Sequence, residues 1–111
     1  MSILRDNWAN FVDTMLEGDE EDIKLTSDII IQYGISNPED DHLIVFLYYL
    51  TPIRYDDQLR RHLVKRYQWG NDKLIRKLID NPYEILIDID YIDKEMKLLF
   101  KPNKVTGRVY E

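Results

Sequence analysis

Residues 43–50 read Leu-Ile-Val-Phe-Leu-Tyr-Tyr-Leu. Eight consecutive apolar positions leave no polar face, so this segment has to be buried on every side. Its start is marked by Asn37-Pro38-Glu39-Asp40. Asn37 is a capping residue, Pro38 suits the first helical position, where no donor is needed, and the acids that follow favour the positive end of a helix dipole. Pro52 ends the segment. A buried strand fits the run as well, because periodicity does not separate the two cases in so short a stretch.

The chain has 111 residues, which is one domain's worth, residues 1–111, with no room for a second independent core. With 44% hydrophobic and 32% charged residues and only 4 Gly and 4 Pro, it is neither collagen-like nor a low-complexity or disordered segment. The absence of Cys excludes a disulfide framework, thiolate zinc sites and a Cys nucleophile. No apolar run reaches the ~18 residues of a membrane span, and the opening residues do not read as a signal peptide. A soluble, cytoplasmic protein with no membrane contact is the expectation.

The remaining periodicities predict an α+β fold, with about five short helices in residues 3–80 and an antiparallel β-hairpin over 83–101. Leu4, Trp8, Phe11, Val12 and Met15 share one helical face over 3–17. Gly18 is read as a left-handed stop, and Asp19 as the cap of a second helix over 20–33 that Gly34 ends. Tyr55, Leu59, Leu63 and Tyr67 recur every four residues in a helix over 55–67. After Gly70 and Asn71, a helix over 73–80 carries Leu74, Ile75, Leu78 and Ile79. Beyond Pro82 the apolar period reads as two: Tyr83, Ile85, Ile87, Ile89 and Tyr91, then Met96, Leu98 and Phe100. A turn at Asp93-Lys94 would set Asp90 opposite Lys97 and pair the apolar positions on the other face. Residues 104–111 offer a short third strand. The predicted core is Trp8, Val12, Ile30, Leu43, Phe46, Leu47, Leu59, Leu63, Leu74, Leu78, Ile87, Ile89 and Leu98.

The net charge of −6 hides a strong asymmetry. Residues 1–53 hold two bases against eleven acids, net −9, while residues 54–79 hold eight bases against three acids, net +5. Residues 80–111 are net −2. Such a chain either pairs its halves internally, stacks head to tail as a homo-oligomer, or shows two faces to partners.

Catalytic motifs are missing from the sequence. His42 and His62 fall in no metal-ligand spacing, and the four Gly are isolated, so no phosphate loop exists. His42 reads as a surface residue at a helix start, and His62 as a structural or binding residue among arginines. Asp88, Asp90, Asp93 and Glu95 are the best oxygen-ligand set, but their order is not that of an EF-hand, and a solvated hairpin face explains them better. No metal and no cofactor are expected.

One constellation stands out: RYDDQLRRHLVKRYQWGNDKLIRK, residues 54–77. Arg54, Arg61, Lys65, Lys73, Arg76 and Lys77 interleave with Tyr55, Tyr67 and Trp69, as phosphate neutralisation and base stacking require. Two helices joined by a Gly-containing turn and followed by a hairpin resemble, in element order over 54–101, the winged helix-turn-helix fold. That resemblance implies a recognition helix over 73–80 and a wing over 89–98. The leading expectation is nevertheless a small acidic, non-catalytic protein-binding module of the inhibitor, immunity-type, phage accessory or adaptor class. Its acidic face, Asp6, Asp13, Glu17, Glu20, Glu21 and Asp22, would steer onto a basic partner surface, with Trp69 or Tyr110 as an aromatic anchor. The alternative is nucleic-acid binding through 54–77.

Overall fold

The structure, a computed structural model, describes residues 2–51, 57–66, 69 and 72–100. Among these the elements are α1 (Ile3–Asp6), α2 (Trp8–Glu17), α3 (Glu20–Ser36), a 3-10 turn (Pro38–Asp40), α4 (Asp41–Leu50), α5 (Asp57–Arg66), α6 (Asp72–Ile79), α7 (Tyr83–Leu86) and α8 (Ile89–Leu99), with no β-strand. The fold is therefore all-helical, not α+β.

Helix α4 is the centre of the molecule. All ten of its residues are buried, and α2, α3, α5, α6 and α8 pack around it. That resolves the helix-or-strand ambiguity of the apolar run. A helix is the one element whose backbone groups are satisfied internally while neighbours cover every side. The Phe46 ring lies 5.9 Å from that of Trp8, and Trp8 Nε1 donates to the Leu86 carbonyl at 2.9 Å. This bond fastens α7 to α2 and satisfies a buried indole donor.

The helix expected over 3–17 is interrupted at Asn7, whose side-chain Nδ2 donates to the Ile3 carbonyl at 2.9 Å. An Asn side chain offering the backbone this alternative partner favours a break. The apolar face survives, with Leu4, Trp8, Val12 and Met15 all buried. Gly18 is extended (φ −66°, ψ 159°) and not left-handed. Space dictates glycine there, since a Cβ would lie 2.5 Å from the Thr14 carbonyl oxygen. Asp19 caps α3 as expected, accepting from the Asp22 amide at 2.9 Å.

Gly34 does not end α3, which continues to Ser36. It is buried on the stripe Ile23, Ser27, Ile30 and Gly34, and a Cβ on it would lie 2.6 Å from Ile44 Cδ1. The glycine lets α3 and α4 approach. A Gly34→Leu variant should lose about 2 kcal/mol by overpacking. Adding Ile44→Ala should recover part of the loss in a double-mutant cycle read by urea unfolding; strict additivity would show that the two positions do not meet.

The C-terminal third overturns the hairpin. Residues 83–86 and 89–99 are helical, and Asp93-Lys94 lies inside α8 instead of forming a turn. Asp88 caps α8, its side chain accepting from the Tyr91 amide at 3.2 Å. Ile89, Ile92, Met96 and Leu99 then fall on one helical face, with Ile92 and Met96 fully buried. Lys97 pairs with Asp93 one turn earlier at 3.1 Å, not with Asp90 across a ladder. Of the predicted core, Leu98 is 63% and Leu74 45% exposed, and Ile87 and Ile89 are half-buried. The other nine predicted core residues are buried. With α8 in place of a wing, the winged-helix reading of 54–101 falls with the hairpin. Tyr55, Tyr67 and the proposed third strand lie outside the described residues.

Candidate functional site

The end of α2 and the start of α3 meet at a corner, because Gly18 breaks the helix and Asp19 starts the next. This corner carries Glu17, Asp19, Glu20, Glu21 and Asp22, all exposed. Asp13 continues the line one turn back on α2, on the same face as Glu17. Asp6 stands apart, on α1 beyond the far end of α2. Among the described residues a single ion pair falls in the corner, Lys24 to Glu20 at 3.3 Å. Asp13 accepts from the Tyr83 hydroxyl, and that hydrogen bond holds the phenol's pKa above its usual value.

In the basic segment, Arg76 and Trp69 are engaged within the molecule. Arg61 and Lys65 are exposed on α5, and Lys73, Arg76 and Lys77 on α6; Arg54 lies outside the described residues. Arg76 Nε pairs with Asp72 at 3.3 Å, and its guanidinium lies 5.0 Å from the centre of the Tyr49 ring. Trp69 is half-buried, donates Nε1 to the Tyr49 hydroxyl at 2.9 Å, and meets Tyr48 and Tyr49 edge-on. It packs against α4 and is not a free platform for base stacking. Tyr110, the other anchor considered, lies outside the described residues.

A third constellation has no counterpart in the sequence reading. Arg5 Nε and Nη2 donate to Asp40 Oδ1 at 3.2 and 2.7 Å, and Nη2 also reaches Asp93 Oδ1 at 2.9 Å. Asp93 Oδ1 accepts from His42 Nε2 at 2.6 Å, and Asp93 Oδ2 faces Lys97 Nζ at 3.1 Å. The Tyr33 hydroxyl donates to Asp40 Oδ2 and accepts from Ser2 Oγ at 2.6 Å. Asp40 and His42 are buried, so His42 is no surface residue. One polar cluster thus joins α1, α3, the 3-10 turn, α4 and α8.

Its electrostatics follow from burial set against pairing. Burial alone would raise Asp93, but hydrogen bonds from His42, Arg5 and Lys97 outweigh it and bring the carboxyl down to about 2. Burial likewise works against Asp40, and Arg5 and Tyr33 hold it below the ordinary carboxylate value. For His42 burial wins over the attraction of Asp93, and its pKa is lowered. His42 is then neutral near pH 7. Facing an ionised carboxylate that only accepts, its hydrogen sits on Nε2.

Ser, His and Asp are all present here, yet Ser2 bonds Tyr33 and stands several links from His42. In this cluster no imidazole or carboxylate is bonded to the Ser2 hydroxyl, and its bonds tie helices to one another. The carboxylates weighed as a metal set are split by α8. Asp88 caps the helix, Asp90 is exposed and Asp93 belongs to the cluster. Among the described residues no group of three His, Cys, Asp or Glu is placed to hold a metal ion, and no helix is long and apolar enough to cross a membrane.

A signal for the cluster was present in the sequence. A helix buried all round draws its own first turn inside, so Asp40, Asp41 and His42, adjoining the apolar run, had to be buried with partners. The protein matches no family model, no curated protein and no solved structure.

Proposed function

We propose that the protein is a small non-catalytic protein-binding module that engages a basic surface of another protein through the acidic corner between α2 and α3. The observation that carries this reading is the fate of the two cations in the acidic half. Arg5 is committed to Asp40 and Asp93, and Lys24 to Glu20. Glu17, Glu21 and Asp22 are left exposed to attract cations from elsewhere. Loss of the wing and the engagement of Trp69 and Arg76 weigh against nucleic acid as the partner.

Carbodiimide treatment of a native extract tests the reading, because it joins carboxylates to contacting lysines without a spacer. Partner lysines should be found on Asp13, Glu17, Glu20, Glu21 or Asp22 by mass spectrometry. Partner links confined to α8, or to no carboxylate at all, would contradict the reading. So would retention of random duplex or single-stranded probes by the purified protein at ~50 mM salt, where nonspecific phosphate contacts are strong.

A further inference from the structure

Helix α3 buries one stripe, Ile23, Ser27, Ile30 and Gly34, against the rest of the molecule. Two positions along, the same spacing recurs on the outside as Leu25, Ile29, Gln32 and Ser36. Leu25 is 57% and Ile29 48% exposed, and Ile3 of α1 adds a third aliphatic side chain at 55%. Ile3, Asp28, Ile29, Gln32, Tyr33 and Ser36 line an open, mostly apolar groove of about 480 Å³, and Asp28 Oδ1 also accepts from Gln58 Nε2. An exposed helix ordinarily shows water a polar face, and aliphatics gathered around a groove mark an interaction surface.

The charge around the groove selects its occupant. Among the described residues no Lys or Arg lines it, Asp28 does, and the first turn of the same helix carries Glu20, Glu21 and Asp22. We propose that this groove seats a cationic amphipathic helix of the partner protein. Its aliphatic side chains enter between Ile3 and Ile29, and its Lys or Arg residues reach Asp28 and Glu21. Glu21 precedes Ile29 by eight residues, about 12 Å along the axis at 1.5 Å per residue. A partner helix with a cation about two turns from its apolar anchor meets both points. The inference rests on the protein-binding reading and locates the contact.

The probe is a synthetic 15-residue amphipathic peptide of Lys and Leu, with Leu at i, i+3, i+4 and i+7. Its control is a scrambled peptide of equal charge with no apolar face. Binding is followed by amide chemical-shift mapping and by titration. The amphipathic peptide should shift Ile3, Ile29, Gln32 and Ser36. Ile29→Ser, at an exposed position that leaves the core intact, should weaken it by about fivefold to tenfold. The scrambled peptide should bind more weakly and ignore Ile29→Ser. Shifts confined to residues 17–22, with Ile29→Ser binding as wild type, would overturn the groove and leave the acidic-corner reading standing. If the combined Glu17→Lys, Glu20→Lys and Glu21→Lys protein also bound as wild type, both would fall. A dimer in sedimentation equilibrium that Ile29→Ser abolishes would make the occupant a second copy, and would overturn the proposal too.

Discussion

Phe46→Ala should cost about 3–5 kcal/mol, because truncating a fully buried ring removes its transfer free energy and leaves a cavity that the neighbours fill only in part. Phe46 is wholly inaccessible and lies against Trp8 on a helix enclosed by five others. Relaxation into the gap would have to move several helices at once. A domain of this size holds about 5–15 kcal/mol in all, and the melting temperature should fall by roughly 15 °C. Leu98→Ala should change stability by less than about 0.5 kcal/mol, since Leu98 points to solvent from α8. In a hairpin, Leu98 would face the core and its truncation would be costly. Comparable losses for the two variants, measured by urea unfolding, would contradict the helical C-terminal third.

The second large effect belongs to Asp93. Its carboxylate receives Arg5, His42 and Lys97, so Asp93→Ala removes three charge-assisted or short hydrogen bonds and leaves the buried His42 donor unpaired. Loss of such a partner costs about 3 kcal/mol near pH 7. The pH dependence has a definite sign. The folded-state pKa of Asp93 is lowered from 3.8 to about 2, so its stabilisation is fully present above pH 3.8 and is lost as pH falls toward 2. That share is about 2 kcal/mol. The gap between wild type and Asp93→Ala should therefore hold or grow as pH falls from 7 to about 5, because the variant also lacks the Asp93 attraction that raises His42, and should narrow below pH 4 as Asp93 is protonated. His42 adds an earlier loss. Its folded pKa lies below the ordinary 6.5, so protonation favours the unfolded chain once pH drops beneath that value. Denaturant titrations at pH 8, 6, 5, 4 and 3 read both steps. A gap that widened below pH 4 would contradict an ionised Asp93 in the folded state.

Legibility of the sequence varied with how many independent signals agreed. For α4, an apolar run, acids at its start and a proline after it agreed on a buried segment and its two ends, while the choice of helix over strand came from the neighbours that cover it on every side. For 83–100 two periods fitted the same residues. Tyr83, Ile85, Ile87, Ile89 and Tyr91 alternate, yet Ile89, Ile92, Met96 and Leu99 recur at helical spacing. Length and local chemistry arbitrate such cases. Residues 89–99 run uninterrupted behind an Asp cap, 94–99 are mostly strong helix formers, and Asp93-Lys94 lacks the Gly or Asn a two-residue hairpin turn demands. Gly34 misled for a different reason, because its role is set by Ile44, ten residues away in another helix.

The acidic corner was visible as charge, and the structure adds that Gly18 and Asp19 gather it at a helix junction while Asp6 stands apart. Of the polar cluster only the burial of Asp40 and His42 beside the apolar run had a sequence signal; their partners Ser2, Arg5, Tyr33, Asp93 and Lys97 meet them only once α1, α3, the 3-10 turn and α8 have packed around α4's first turn. No local spacing encodes that meeting.

The most direct measurement is the association rate between the protein and the partner recovered by cross-linking, taken from ~50 to ~500 mM salt. It compares the wild type with the combined Asp13→Lys, Glu17→Lys, Glu20→Lys and Glu21→Lys protein, whose changes are all at exposed positions. The wild-type rate should fall by about tenfold or more across that range. The reversed protein should start slow and show little salt dependence, because long-range attraction sets the on-rate. Equal rates and equal salt slopes for the two folded proteins would remove the acidic corner from recognition.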